Sequence, residues 1–295
     1  MIRYDFDRTV VEADIRAVDP RWFNKAEKRT KIIVKLGSFA EKTSVWSKIK
    51  PTFMRLQKNK CVFCERQFEN PDYGTIEFDV EHFRPKSSVV TWPDPVRHSK
   101  LKYDFGTGAP YATGYYWLAY ELENYAASCK VCNTSLKLNY FPIAGDRGSV
   151  LATVDDLSNE QPYLCYPFGD LDDDPETLMT FVATTAVPTA SDDFKKRRGQ
   201  TIIDFFDLNG REQLHRERAR MIAMCGSALM ADAEGEATDQ DQLVIARMDS
   251  PVLPHSNCLR AFKRSWATDK ELARQIYEKC RAYALGGDSS GPPDL

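Results

Sequence analysis

Two Cys-x-x-Cys pairs, Cys61-Val-Phe-Cys64 and Cys129-Lys-Val-Cys132, constrain this chain more than any other feature. Four thiolates in two such pairs match a tetrahedral, all-cysteine zinc site. The 64 residues between Cys64 and Cys129 exceed the usual intervening loop, so the alternatives are two unrelated pairs or a redox dithiol. A dithiol needs one pair inside a βαβ pattern, and no such pattern surrounds either pair. A four-cysteine site has no open coordination position, so Cys61, Cys64, Cys129 and Cys132 are expected to hold structural zinc, stapling a strand region to a helical one. With no apolar signal core at the start of the sequence, the cysteines are expected in a reducing cytoplasm, where paired spacing favours metal over disulfides. Cys165, Cys225, Cys258 and Cys280 stand singly and read as small buried hydrophobes.

Between the pairs lies Phe78-Asp-Val-Glu-His-Phe-Arg-Pro-Lys86. Ile76, Phe78 and Val80 alternate with Glu77 and Asp79, which predicts a strand over 75–80, after turn chemistry at 70–74. Glu81 and His82 then sit side by side at its end, with diverging side chains. A carboxylate suits Mg²⁺ or Mn²⁺, and an imidazole with a pKa near ~6.5 suits deprotonating a water at neutral pH. Asn133 would add a second oxygen ligand to that metal from the helix opening at Cys132. Arg84 and Lys86 are placed to hold phosphate, and Lys137, four residues beyond Asn133 on the same helix face, is expected to bind the nucleic acid with them. The residues thus suggest a zinc-stapled metal nuclease.

The remaining chain reads as support. From Arg21 to Lys60 there are twelve Lys or Arg against two Glu, a basic block suited to phosphate or to a solvated helix face. Residues 1–20 read as an extended lead-in, with charges from the start and no apolar signal core. Apolar spacing predicts two helices between Trp22 and about Leu56 and a short one ending there. Residues 87–114, rich in Pro and Gly, read as an insertion packing on the core or meeting substrate. Asp170–Glu176 is acidic but lacks the glycine and terminal glutamate of a calcium loop. Helices are expected from Lys195 to about Leu208, from Arg211 to about Leu229 and near Thr268–Ala284, with a polar linker over 231–242 and a disordered tail from 286. Ile202, Phe205 and Phe206 are expected to pack in a core rather than to form a partner dock. No apolar run is long enough to span a bilayer.

As an ordered set, C-x-x-C, V-E-H-F-R-P-K, Y-W-L-A-Y-E-L-E-N-Y-A-A-S-C-K-V-C-N and K-L-N-Y-F-P resemble the HNH (ββα-metal) endonuclease family. The resemblance is to the PtuB-like HNH nucleases of Septu and retron-linked anti-phage defence systems in particular. It covers about eighty residues, Cys61–Phe141, with weaker likeness at D-D-D-P-E and T-I-I-D-F-F-D-L-N-G-R-E-Q-L. It implies that His82 is the general base and Glu81 the acidic metal ligand. Asn124 then braces the loop bearing the histidine, Asn133 ligates the metal, and the four cysteines ligate zinc. Two departures stand out: 41 residues separate His82 from Asn124, and the acid is Glu where Asp is common.

The expected fold is α+β, mainly helical, with a zinc-stapled ββα-metal (HNH) core over 61–145. A basic helical region over 1–60 precedes it and a helical region over 146–285 follows. The expected activity is metal-dependent hydrolysis of DNA phosphodiester bonds, with an SMC/ABC-type ATPase partner implied by the resemblance. The competing readings are an RNA-cleaving HNH nuclease and a zinc-stapled module that binds nucleic acid or protein without cutting.

Overall fold

The structure of the protein, a computed structural model, describes residues 1–69, 73, 76–189, 192–286 and 292–293. Most of the turn expected at 70–74 and most of the tail expected from 286 lie outside the described residues. The fold is α+β and about half helical. Two compact units are present: Arg3–Val62 with Phe68–Asp174, and Pro175–Leu295 with Met1–Ile2 and Phe63–Gln67. No helix among the described residues is long and apolar enough to cross a membrane.

In the first of these, the expected extended lead-in is instead a helix, α1 (Arg8–Val18). The Asp7 carboxylate caps it, accepting from the Thr9 and Val10 amides at 2.8 and 3.2 Å. Only Val11 and Ile15 are buried, one turn apart, so the apolar stripe is too thin to announce itself. Helix α2 (Trp22–Leu36) buries Trp22, Ala26 and Ile33 and stops at Gly37, whose φ of +68° suits glycine. A 3₁₀ turn (Trp46–Ile49) leads into α3 (Lys50–Leu56), which buries Thr52, Phe53 and Met54 and delivers the chain to the first cysteine pair.

Strand β1 (Phe78–His82) pairs antiparallel with β2 (Tyr125–Cys129), with Glu81 opposite Ala126 and His82 opposite Tyr125. The predicted strand began at 75, outside the described residues; the observed one runs on through the acid and the histidine. Ala127 turns its backbone away from β1. Its N–H donates to Gln57 Oε1 at 2.6 Å, and its carbonyl accepts from Gln57 Nε2 at 2.7 Å and from the Val62 N–H at 3.1 Å. β2 therefore has no bare inner edge at its midpoint. A seven-residue π-helix, Val131–Lys137, follows β2 and carries Cys132, Asn133 and Lys137.

The insertion over 87–114 contains no helix or extended strand. It is tied down by isolated bridges, Val89 to Tyr111 and Val90 to Tyr140. It closes at Gly114, where φ is +57° and a Cβ would come within 2.6 Å of the Pro85 carbonyl. The next residue, Tyr115, donates its N–H to that carbonyl at 2.8 Å.

The other unit holds a hairpin that sequence periodicity did not show: β3 (Met179–Val182) and β4 (Thr185–Pro188), preceded by the short helix α4 (Pro175–Leu178). Helix α5 (Asp193–Phe205) buries Ile202 and Phe205, and Phe206 stacks on Phe63 at 4.1 Å, so these three residues serve a core. Helices α6 (Glu212–Glu234) and α7 (Asp239–Arg247) leave only 235–238 of the expected polar linker. Gly235 caps the first, and a capping box between Thr238 and Asp241 opens the second. Helix α7 buries nothing fully, which is why its composition reads as loop. Helices α8 (Ser256–Thr268) and α9 (Lys270–Ala284) complete an apolar core that includes Ile222, Leu259, Phe262 and Ile276.

Candidate functional site

The four paired cysteines come together. One sulfur from each of Cys61, Cys64, Cys129 and Cys132 lies within 4.8 Å of every other, and all four residues are buried. Zinc–sulfur bonds of about 2.3 Å put tetrahedral sulfurs about 3.8 Å apart, so this cluster could bind zinc with a small contraction. Backbone amides already aim at the sulfurs: Cys129 N–H donates to Cys61 Sγ at 3.3 Å and Cys132 N–H to Cys129 Sγ at 3.5 Å. The remaining four cysteines are buried too, and the Cys165 and Cys258 thiols donate to the Asp173 and Ala183 carbonyls at 3.1 and 3.3 Å.

A cavity of about 380 Å³ opens beside the end of β1. Glu81, His82, Lys86 and Asn133 line it, joined by Trp46, Lys50, Asp79 and Asn139. Three of the expected site residues, Arg84, Asn124 and Lys137, lie outside this lining.

His82 is buried and oriented from three directions. Its Nε2 sits 3.1 Å from the Ala119 carbonyl, which can only accept, so Nε2 carries the proton and Nδ1 the lone pair. Trp46 and Tyr125 meet the imidazole ring at near right angles, with centroids 4.7 and 5.1 Å away. The Lys86 ammonium reaches Nδ1 at 3.5 Å. Burial, then that ammonium, holds the imidazole well below its usual pKa of 6.5, hence neutral at pH 7. Lys86 is itself cradled over the Trp46 and Phe39 rings, at 4.9 and 5.3 Å.

Glu81 is buried with the Lys137 ammonium 2.7 Å from Oε1. Burial raises its carboxyl above the usual range, and Lys137 and Lys86 only partly oppose this. Lys137 is completely buried and also donates to the His82 carbonyl at 3.0 Å, so one ammonium grips both halves of the acid–histidine pair. Asn124 grips Arg84, two residues past the histidine. Its Oδ1 accepts the Arg84 N–H at 2.7 Å, and its Nδ2 donates to the Arg84 and Leu118 carbonyls at 3.0 and 3.2 Å. The Arg84 side chain turns inward, meeting Glu160 at 3.3 Å and the Leu157 carbonyl at 2.9 Å. Arg84 and Lys137, both expected at phosphate, are thus buried and engaged with partners inside the protein.

Sequence reasoning passed over Asp79 and Lys50. Asp79 lies two residues before Glu81, on the same face of β1, and the alternation of the strand could have found it. It meets Lys50 at 2.9 Å and Lys130 at 3.3 Å. Burial pushes its carboxyl up, but the two ammoniums outweigh that and hold it below the usual range.

No family model matches the chain, and no solved structure matches it. The chain is similar to the Septu protein PtuB of Bacillus mycoides (strain KBAB4), with 30% identity over 175 residues. That alignment covers 59% of this chain and 50% of the relative, so the chain spans about half the length of the curated relative it matches.

Proposed function

We propose that this chain is a metal-dependent HNH endonuclease that hydrolyses DNA phosphodiester bonds as an anti-phage defence effector with an SMC/ABC-type ATPase partner. The observation that carries the reading is the antiparallel pair β1–β2 running into the helix of Cys132 and Asn133, with Glu81, His82 and Asn133 around one cavity. The defence role and the partner rest on the similarity to Septu protein PtuB and on the motif resemblance.

The donor set beside the cavity is hard: a buried carboxylate, Glu81, and an amide oxygen, Asn133, which suit Mg²⁺ or Mn²⁺. That ion, when bound, would polarise the scissile phosphate and stabilise the leaving 3′ oxygen. His82 does the proton work. With its Nε2–H held by Ala119, Nδ1 can accept a proton from an attacking water. Lys86 is the group that must move first, because its ammonium donates to that same lone pair. A phosphate oxygen is the stronger acceptor for it, so substrate arrival uncovers the base. Lys50 stands at the same cavity as a second phosphate contact. Arg84 and Lys137 act from behind: Lys137 fixes the acid–histidine backbone, and Arg84 is the residue through which Asn124 and Glu160 hold the following loop.

Conversion of supercoiled plasmid to nicked or linear form tests the reading, with wild type and His82→Ala each in Mg²⁺, Mn²⁺ and EDTA, and a matched RNA alongside. Loss of the base is expected to slow cleavage by about 10²–10⁴-fold in protein that is still folded by circular dichroism. Cleavage by His82→Ala at the wild-type rate would overturn it. Cleavage of the RNA alone would select the RNA-cleaving form of the same centre. Binding without cleavage, even with the ATPase partner added, would select the non-cutting module.

A further inference from the structure

The insertion between His82 and Asn124 lines an open pocket of about 320 Å³, to which the nuclease reading gives no task. Its lining includes the rings of Tyr103, Phe105 and His98, with Pro95 and Lys102. The rings are not isolated. Trp92 lies 5.4 Å from Tyr103, Tyr103 4.8 Å from Phe105 and Phe105 5.0 Å from Tyr163, at interplanar angles of 32°, 37° and 36°. Trp92 and Tyr163 are buried and anchor the row at both ends, while Tyr103 and Phe105 are only half-buried and face the cavity. His98 accepts the Asp94 N–H on Nδ1 at 2.9 Å, which leaves its proton on Nε2 as a donor. Lys102 and its neighbour Lys100 are exposed.

The position matters as much as the lining. Asn139 lines the cavity of Glu81 and His82, and the next residue, Tyr140, meets the His98 ring at 5.4 Å. Val90 donates its N–H to the Asn139 carbonyl at 3.1 Å, and Asn139 Nδ2 donates to Ser88 Oγ at 3.1 Å. Asn139 thus lines the catalytic cavity, while its neighbour Tyr140 backs His98, a lining residue of the second cavity.

We propose that the insertion cavity takes an unpaired nucleobase from the strand whose backbone enters the neighbouring catalytic pocket. This deepens the nuclease reading and rests on it. A half-exposed aromatic row offers stacking that any base can use, and a base locked in a duplex has no face free to use it. Lys102 and Lys100 supply backbone contacts that weaken with salt. A single-stranded or locally opened substrate is the class this predicts. The sugar is not read by stacking, so DNA and RNA single strands share the chemistry.

Fluorescence anisotropy with full-length His82→Ala, which leaves substrate uncut, tests this in buffer without added divalent ions. The probes are a labelled twelve-nucleotide DNA, its RNA counterpart, the blunt DNA duplex and the same DNA carrying abasic sites. Tyr103→Leu with Phe105→Leu keeps apolar volume and removes both π faces. It is expected to weaken single-strand binding at least about tenfold, leave duplex binding unchanged and bind the abasic strand as the parent does. Equal losses for DNA and RNA fit stacking; a loss for RNA alone would mean that the site reads the 2′-hydroxyl and overturns a base-only pocket. If the double variant melts lower, Tyr103→Ala is read instead. Unchanged single-strand affinity, or an equal loss for duplex, overturns the inference. His82-dependent plasmid cleavage in that same case would leave the nuclease reading standing; no binding to any probe and no cleavage would end both.

Discussion

Two buried carboxylates in the Arg3–Asp174 part of the chain meet their cations in contrasting ways. Glu160 is saturated: Oε1 accepts from the Tyr115 hydroxyl and the Gly148 N–H, each at 2.8 Å, and Oε2 meets Arg84 at 3.3 Å. The guanidinium is walled by the Phe141, Phe83 and Tyr115 rings at 5.2–5.8 Å. Glu81 has one close cation, Lys137, and lines an open cavity of about 380 Å³. A saturated ion pair is scaffold, because nothing else can reach it. One that borders a cavity holds a charge in readiness for something that enters.

The sharpest way to break this contrast is Arg84→Met. It leaves the Glu160 carboxylate buried without its cation, which typically costs about 3–5 kcal/mol. Urea denaturation should show a loss of that size, and added Mn²⁺ should recover none of it. A loss under about 1 kcal/mol would mean that the Arg84–Glu160 tie is not scaffold.

Lys137→Met applies the same operation to the other pair, and the expected loss is smaller, about 1–3 kcal/mol, because Glu81 can draw water from its cavity. A divalent ion can also replace the missing ammonium. Mn²⁺ should therefore raise the melting temperature of Lys137→Met by more than it raises that of wild type. Equal increments in the two proteins would argue against a metal at Glu81. The contrast between the two lysine and arginine variants is the informative quantity, more than either loss alone.

Much of this site is legible in the amino-acid sequence, and the reason is local. The cysteine pairs and the Glu81–His82 dipeptide are short motifs whose residue types suggest their chemistry, whereas Asn124 is expected only from the family resemblance and meets Arg84 from 40 residues away. The roles of Arg84 and Lys137 are not legible in that way. Next to a histidine a cation reads as a phosphate ligand, and only the fold brings Glu160, 76 residues away, to Arg84. Lys137 turns inward because the π-helix directs it at β1, which the expected four-residue helical spacing does not convey. The same limit applies to helices α1 and α7, whose apolar faces are too slight to mark them. It applies as well to the β3–β4 hairpin, which turns at Ala183 and Thr184 without a turn-forming glycine or asparagine.

The smallest expected effect belongs to Asp79→Asn, and it probes the cavity side of the comparison. Asp79 is partly exposed and shares its charge between Lys50 and Lys130, so removing the charge should change stability by only ~0–1 kcal/mol. Lys50 would stay in place, since it also donates to the Phe78 carbonyl at 3.1 Å. The cavity would then carry one more uncompensated positive charge. Nucleic-acid binding by Asp79→Asn should tighten a few-fold at low salt, with a steeper decline as salt rises. Anisotropy titrations between about 50 and 200 mM salt read both quantities. Should Asp79→Asn instead weaken binding or abolish cleavage at unchanged stability, Asp79 would join the proposed metal ligands Glu81 and Asn133, and Lys50 would serve that carboxylate rather than the phosphate.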